Sequence, residues 1–450
     1  MKINGLLLRS TIVAALGGLM FGFDVAVISG AIDAIRNMFS LTNQSLGFTV
    51  ASAMIGTIIG AIAIGRPADI YGRHIMLIVL AVFYFVSAIG CAFAWGWYSF
   101  LFFRFLGGIA VGGSSVVSPM YIAEISPARI RGRLVAITQF NIVLGILLAF
   151  FSNYVIASMA SGDTAWRWMF GVQAFPAAIF CYLLFLIPMS PRWLVAKNMV
   201  DQAMDVLKKL GATAKDAEEE IAAIKDSLDI AHHDMRERFY CRKYVMPISL
   251  AFLIAMFNQL SGIGALLYYA PQIFKMAGAG GNSALLQTVV VGGTNLIFTV
   301  FALTIIDNFG RKKLMFVGSI GYIVSLSAIA WSFFHYHSSF NFAGSLIVLV
   351  SMLLFIASHA FGQGAVIWVF ISEIFPNRIR ARGQALGSFT HWVMCAIVTW
   401  TFPVIANISG GYAFTFFAAM MVLQLLFVIF MMPETKGIPL EQIQKKLHIE

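Results

Sequence analysis

Two charged residues sit where charge is expensive. Asp24 lies in an apolar run over about 9–32, and Arg104 in another over about 98–122. An ionised side chain near the centre of a hydrocarbon layer costs about 2.5–3.5 kcal/mol on insertion scales, so an intramembrane charge marks a function by default. If the two meet, the guanidinium favours the charged carboxylate. If they part, a lone buried carboxylate favours taking up a proton, and proton occupancy then follows conformation. A static ion pair that ties two helices together is the alternative. A second set of residues is uncharged: Gln139, Asn258, Gln259, Tyr268, Asn295, Trp368 and Trp392 all fall in apolar runs. Amides both donate and accept, and aromatic rings offer flat apolar faces, which together suit a neutral, hydroxyl-bearing solute. Any one amide serves equally well as a helix–helix hydrogen bond; the adjacent pair Asn258-Gln259 points to a ligand.

The elements that must position these groups follow from composition. The chain has 450 residues, 60% of them hydrophobic and 11% charged, with a mean hydropathy of +0.85. Soluble domains run at roughly 25% charged and 45–50% apolar, so an ordinary soluble domain, a disordered chain and a disulfide scaffold are excluded. The net charge of +10 lies in short clusters between apolar runs and forms no nucleic-acid patch. A helix needs about 20 apolar residues to cross about 30 Å of hydrocarbon. Twelve such runs are present, at about 9–32, 46–66, 75–95, 98–122, 134–157, 167–188, 244–270, 284–306, 313–334, 344–371, 384–406 and 411–432. The first reads as an uncleaved span, with no clear small-residue cleavage site before Asp24. The fold expected is an all-α membrane protein of twelve helices in two six-helix bundles, 1–190 and 244–450. Residues 191–243 join them as a cytoplasmic helical linker; 192–243 holds 10 Lys/Arg and 10 Asp/Glu, too polar to span.

Positive charge sets the orientation. With both termini in the cytoplasm, Arg66, Arg73, Arg129, Arg131, Arg133, Arg311, Lys312, Lys313, Arg378, Arg380 and Arg382 fall in cytoplasmic loops, against only Arg36, Arg167 and Lys275 opposite. The halves also repeat. GRPADIYGRH (65–74) follows the second span and DNFGRKK (307–313) the eighth. YIAEISPARIRGR (121–133) follows the fourth and FISEIFPNRIRARG (370–383) the tenth, with Glu124, Pro127 and Arg131 matching Glu373, Pro376 and Arg380 at one offset of 249. Such a repeat implies bundles related by an axis along the membrane normal, with a site near the midplane. Asp69, Arg73, Glu124 and Arg131, with Asp307, Arg311, Glu373 and Arg380, form a candidate cytoplasmic gate of paired charges; topology anchoring by positive charge is the simpler reading.

The motifs resemble the sugar porter family of the major facilitator superfamily over essentially the whole chain. GGLMFGFDVAVISG (17–30), both Asp-x-x-Gly-Arg loops, PMSPRWL (188–194), NQLSGIGALLYYAP (258–271), SEIFPNRIR (372–380) and PETKG (433–437) stand in that family's order. Asp24 with Arg104 is most similar to the bacterial proton–sugar symporters of the xylose type. The resemblance implies that Gln139, Gln259, Tyr268, Asn295, Trp368 and Trp392 contact sugar and that Phe21 lies near the site. It also marks departures. Asn258 stands for a second Gln, Gly264 for a sugar-touching Asn, and His391 for a Gln. Ala365 stands for the Pro of Gly-Pro-x-x-Trp, which softens the break in span ten, and Met189 for a Glu.

Spacing alone adds a polar stripe on span eleven, Gln384, Ser388, His391, Cys395 and Thr399, and the pair His359 and Gln363 on span ten. His391 either donates to a sugar hydroxyl, titrates, or packs. The function expected is proton-coupled symport of a pentose or hexose by alternating access. A facilitator of the same fold and a transport-inactive sugar sensor are the alternatives. No nucleophile–base pair, GxxxxGK[ST] or metal-ligand spacing is present, so no enzyme, cofactor or metal is expected. The expected partners are a monosaccharide, a proton and the lipid bilayer of the inner (plasma) membrane, with the protein working as a monomer and binding no nucleic acid.

Overall fold

The computed structural model describes residues 4–127, 130–160, 164–234, 238–337, 339–376, 379–438, 443 and 447. The side chains of 227–234 and of Asp307 lie outside that description, as do Arg129 and Arg378. Among the described residues the structure is helical, without strands. Twelve helices are long and apolar enough to cross a membrane. In order they are Gly5–Met38, Asn43–Ala63, Arg73–Ala92, Trp97–Ile125, Arg131–Met159, Ala165–Leu184, Arg242–Met276, Gly281–Ile306, Arg311–Tyr336, Phe342–Ile374, Arg380–Ile408 and Gly410–Phe430, numbered here as spans one to twelve. Several run past their apolar stretch. Span one has 34 residues, about 50 Å at 1.5 Å per residue, so its polar ends outreach the hydrocarbon.

Three spans are interrupted, each for a local reason. Span six consists of Ala165–Gly171 and Ala174–Leu184, and the joint carries Gln173. Span seven breaks at Gly262, whose φ of 87° places it in the left-handed region. Glycine adopts that conformation freely, and the Phe417 ring fills the space a Cβ would need. Further on, Tyr269 leaves helical geometry two residues before Pro271, which lacks the N–H to continue the ladder. Span ten carries a π turn at Ala360–Gly364, then resumes as a helix from Ala365. With Ala365 in place of proline, the helix is re-registered rather than broken.

The polar segment after span six forms Pro191–Ala196, Val200–Lys209 and Ala214–Asp234. Leu194, Leu207, Ala217, Ile221 and Ile224 bury one face of these helices in a small core of their own.

The chain divides into two compact units, each discontinuous in sequence. The first contains Met1–Val25, Ile55–Ala149 and Arg167–Arg236; the second contains Ala26–Met54, Phe150–Trp166 and Glu237–Glu450. Within the second unit the N-terminal part of span two packs on span eleven. A Cβ at Gly47 would overlap the Trp400 carbonyl, and the Phe48 and Trp400 rings lie 5.2 Å apart. In the same unit Asp33 of span one pairs with Lys275 and accepts from Gln272 of span seven.

Close backbone approach organises the first unit. Gly18 and Gly22 of span one lie against Thr138 and Ile142 of span five, and Gly145 of span five lies against Leu19. Gly108 and Gly112, on the Arg104 face of span four, abut Gly56 and Thr57 of span two, so they bring in span two and not the Asp24 helix. Small residues admit such contacts where lipid gives no hydrophobic drive between helices. Gly22→Val should cost about 1–3 kcal/mol by overpacking, because the added Cβ would strike the Ile142 carbonyl. Thermal unfolding in detergent checks this against Gly5→Ala, at a position where a Cβ meets nothing within 4 Å; equal melting temperatures for the two variants would contradict the packing assignment.

Candidate functional site

The two intramembrane charges meet. Arg104 Nη1 lies 3.1 Å from Asp24 Oδ2 and 3.3 Å from the Asp24 carbonyl oxygen. Arg104 is 0% exposed and Asp24 2%. The other carboxylate oxygen accepts from Gln173 Nε2 at 3.2 Å, so spans one, four and six converge on one acid. Gln173 stands in the span-six joint, and an amide inside an apolar run is its signal in the sequence. Gly107 keeps the room for this arrangement, since a Cβ there would stand 3.2 Å from Asp24 Oδ1. Arg104 also lies over the Phe170 ring at 5.6 Å, while its Nε and Nη2 are buried with no acceptor. A buried guanidinium with donors to spare is costly, and that cost is least when the anion stays beside it.

In the second unit, Asn258, Gln259, His391, Trp368 and Trp392 come together. Gln259 Nε2 donates to Asn258 Oδ1 at 3.0 Å and approaches the His391 ring at 3.2 Å. The imidazole stands 5.4 Å from the Trp368 ring and 4.9 Å, edge-on, from Trp392. Span eleven presents its polar stripe here: Gln384 donates to the Trp368 carbonyl, and Cys395 and Thr399 border Gly264. Tyr268 is buried further along span seven, and Asn295 is buried on span eight, accepting from Thr299. Phe21 and Gln139, both half-buried, belong to the first unit. His359 of span ten is bound to the Tyr322 hydroxyl at 2.6 Å.

The repeated loop motifs build two similar clusters, one in each unit. In the first, Arg73 pairs with Glu124 and with Asp69, both at 3.0 Å, and Ser190 donates to Glu124. In the second, Arg311 makes a two-pronged pair with Glu373, at 2.8 and 3.2 Å, and Thr435 donates to Glu373 at 2.6 Å. Ser190 and Thr435 stand at matching places in Pro-x-Ser and Pro-x-Thr, a correspondence visible in the sequence. Arg131 reaches only the Ser126 carbonyl at 3.4 Å, and Nε of both Arg131 and Arg380 is buried without a partner, so neither arginine joins the acid of its cluster among the described contacts. Asp307 is an expected member whose side chain lies outside the described residues.

Glu434 distinguishes the second cluster. Its carboxylate accepts from the backbone N–H of Arg311 and Lys312, at 2.9 and 3.1 Å, capping the first turn of span nine. Partial burial pushes the Glu434 carboxyl up, but backbone donors from Lys436, Arg311, Lys312 and Thr435 outweigh it and hold the group below its ordinary value. Met189, at the matching place in the first half, carries no carboxylate. Glu434→Gln should lower stability by about 1 kcal/mol near pH 7, as for a lost helix cap. Because the folded value is depressed, the wild-type advantage is present above the unfolded value, about 4.3 for glutamate, and is lost as pH falls below that through the folded one. Melting curves of both proteins across pH check the difference and its sign; an advantage that grows on acidification would refute it.

Comparison with known proteins accords with this geometry. The family described as "Sugar (and other) transporter" matches residues 10–447. The D-xylose-proton symporter of Escherichia coli (strain K12) is 38% identical over 474 residues, covering 96% of this chain and 94% of the relative. The arabinose-proton symporter of Bacillus subtilis (strain 168) is 34% identical over 446 residues, covering 98% and 95%. Among solved structures, the inward open conformation of the xylose transporter XylE from E. coli matches with a TM-score of 0.87 at 36% identity, over 98% of this chain and 99% of that one. The same proton:xylose symporter of the major facilitator superfamily, bound to 6-bromo-6-deoxy-D-glucose, matches with a TM-score of 0.81 at 36% identity, over 99% and 100%. The chain thus has the major facilitator fold, and it belongs to the sugar (and other) transporter family.

Proposed function

We propose that the protein is a proton-coupled monosaccharide symporter that works by alternating access as a single chain. The observation that carries the reading is the buried Asp24–Arg104 pair, held with Gln173 inside the first unit. An arginine 3.1 Å away stabilises the charged carboxylate. When the arginine withdraws, the buried carboxylate must take up a proton or bear its desolvation cost. A conformational change that parts the two residues therefore loads a proton, and one that rejoins them expels it. Coupling of this kind needs no ATP and no enzyme chemistry.

The amide and aromatic cluster supports the choice of solute. Asn258, Gln259, Trp368, His391 and Trp392 offer neutral donors, neutral acceptors and ring faces, which suit a polyol better than an ion. Tyr268, Asn295, Phe21 and Gln139 are further sugar-contact candidates, on the family resemblance alone. The relatives named as xylose and arabinose proton symporters point to the same class. The Lys/Arg-rich loop ends lie toward the cytoplasm together with both termini, in a bacterial inner membrane. The domains are then bundles 1–190 and 244–450, joined by 191–243. The Arg73–Glu124 and Arg311–Glu373 clusters act as the cytoplasmic gate.

Uptake of labelled xylose, arabinose and glucose into proteoliposomes, with and without an imposed pH gradient, tests the reading. Accumulation above equilibrium is expected only with the gradient, and equal uptake under both conditions would leave a facilitator. Asp24→Asn should abolish uphill accumulation while sugar exchange persists; a variant that still concentrates sugar would remove Asp24 from the coupling. His391→Gln should reorder a panel of pentoses and hexoses as competitors, and an unchanged ranking would take His391 out of the site.

A further inference from the structure

Five buried side chains of the second unit form one directional chain of hydrogen bonds. Ser319 of span nine gives its single hydroxyl proton to the Met315 carbonyl at 2.7 Å, so its oxygen can only accept from the Gln424 amide 2.8 Å away. That contact decides which end of Gln424 is nitrogen. Gln424 Oε1 then accepts from Gln363 Nε2 at 2.9 Å, Gln363 Oε1 from Asn258 Nδ2 at 3.4 Å, and Asn258 Oδ1 from Gln259 Nε2 at 3.0 Å. None of the five is more than 3% exposed. The chain ends at Gln259 Oε1, which is buried and has no donor. This oxygen faces Gly264, where an added Cβ would stand 3.1 Å from it and 3.2 Å from Thr399 Oγ1.

An isolated glutamine can turn its amide over and offer either a donor or an acceptor. Here the turn is resisted. Reversing Gln259 would set two nitrogens or two oxygens against each other along the chain, unless all four amides reverse together. A full reversal would bring Gln424 Oε1 against a serine oxygen whose proton is already committed. In a low-dielectric interior, mismatched pairs of this kind are costly.

We propose that Gln363, Gln424 and Ser319 are positioning residues that hold Gln259 so that it offers the ligand an acceptor. The site therefore demands a hydroxyl proton from the sugar at that contact. The assignment rests on the reading of Asn258 and Gln259 as sugar ligands. It adds that specificity is set partly by spans nine and twelve, through a chain of amides.

Monodeoxy and monodeoxyfluoro sugars separate donation from acceptance, because fluorine replaces a hydroxyl without supplying a proton. Each analogue competes with labelled xylose, arabinose or glucose for uptake by the full-length protein in proteoliposomes. At one ring position, fluorine for hydroxyl should weaken competition about tenfold or more, as much as deletion does. In Gln363→Met and Gln424→Met the chain is cut. The penalty at that position should then fall several-fold relative to the parent sugar, while the other positions keep their wild-type values. Loss of packing alone would weaken all analogues together and leave the hydroxyl-to-fluorine ratio where it was. Ser319→Ala removes the committed hydroxyl with the least change in shape, and it carries the same test if the methionine variants do not fold. The inference is overturned if the wild type accepts fluorine at every position as well as hydroxyl, or if folded variants retain the wild-type ratio. Absence of any labelled sugar uptake would instead overturn the proposed function, and the inference with it.

Discussion

Inside a hydrocarbon layer no water competes for hydrogen bonds, so a buried polar group must find its partner in protein or bear the cost. That constraint organises both groups of functional residues here. Arg104 is wholly enclosed, and the Asp24 carboxylate is its anion, with Gln173 on the second oxygen. The amides of spans seven, ten and twelve are likewise enclosed, and they satisfy one another in sequence from Ser319 to Gln259. Within these two groups the pairing is incomplete at Arg104 Nε and Nη2 and at Gln259 Oε1.

Backbone geometry makes these meetings possible. Gly18, Gly22 and Gly145 draw spans one and five into contact, and Gly107 leaves space for the Asp24 carboxylate. The breaks are placed with equal economy: span six is interrupted beside Gln173, span seven just after Asn258-Gln259, and span ten at the π turn that contains Gln363. An uninterrupted helix keeps a fixed angle between successive side chains. A break or a π turn resets that angle, so the polar residue at the interruption can face protein while its neighbours face elsewhere.

The two loop clusters solve the same problem with matched parts. An arginine after a positive-φ glycine, Gly72 or Gly310, meets the glutamate at the end of a neighbouring span, and a hydroxyl from a Pro-x-Ser or Pro-x-Thr segment completes the acid. The halves diverge in the residue between. Glu434 caps the helix that follows its glycine, and Met189 has no carboxylate with which to do so. Each cluster ties together elements of its own unit.

Much of this was legible in the chain itself. Hydrocarbon thickness imposes long apolar runs, so the twelve spans could be read directly, with errors confined to helix ends that project into polar surroundings. Burial cost made Asp24 and Arg104 conspicuous, and the ordered motifs carried the family. The partners were not legible. Gln173, Gln424, Ser190 and Thr435 join the functional groups because of how each helix is rotated about its own axis. Helices that are apolar on every side carry almost no periodic signal of that rotation. The same reason hides from the sequence that Gly108 and Gly112 pack against span two. Arg131 matches Arg380 in the repeat, yet among the described contacts neither reaches the acid of its cluster. Composition and spacing determined which groups must be buried; the packing of helix against helix decided which of them meet.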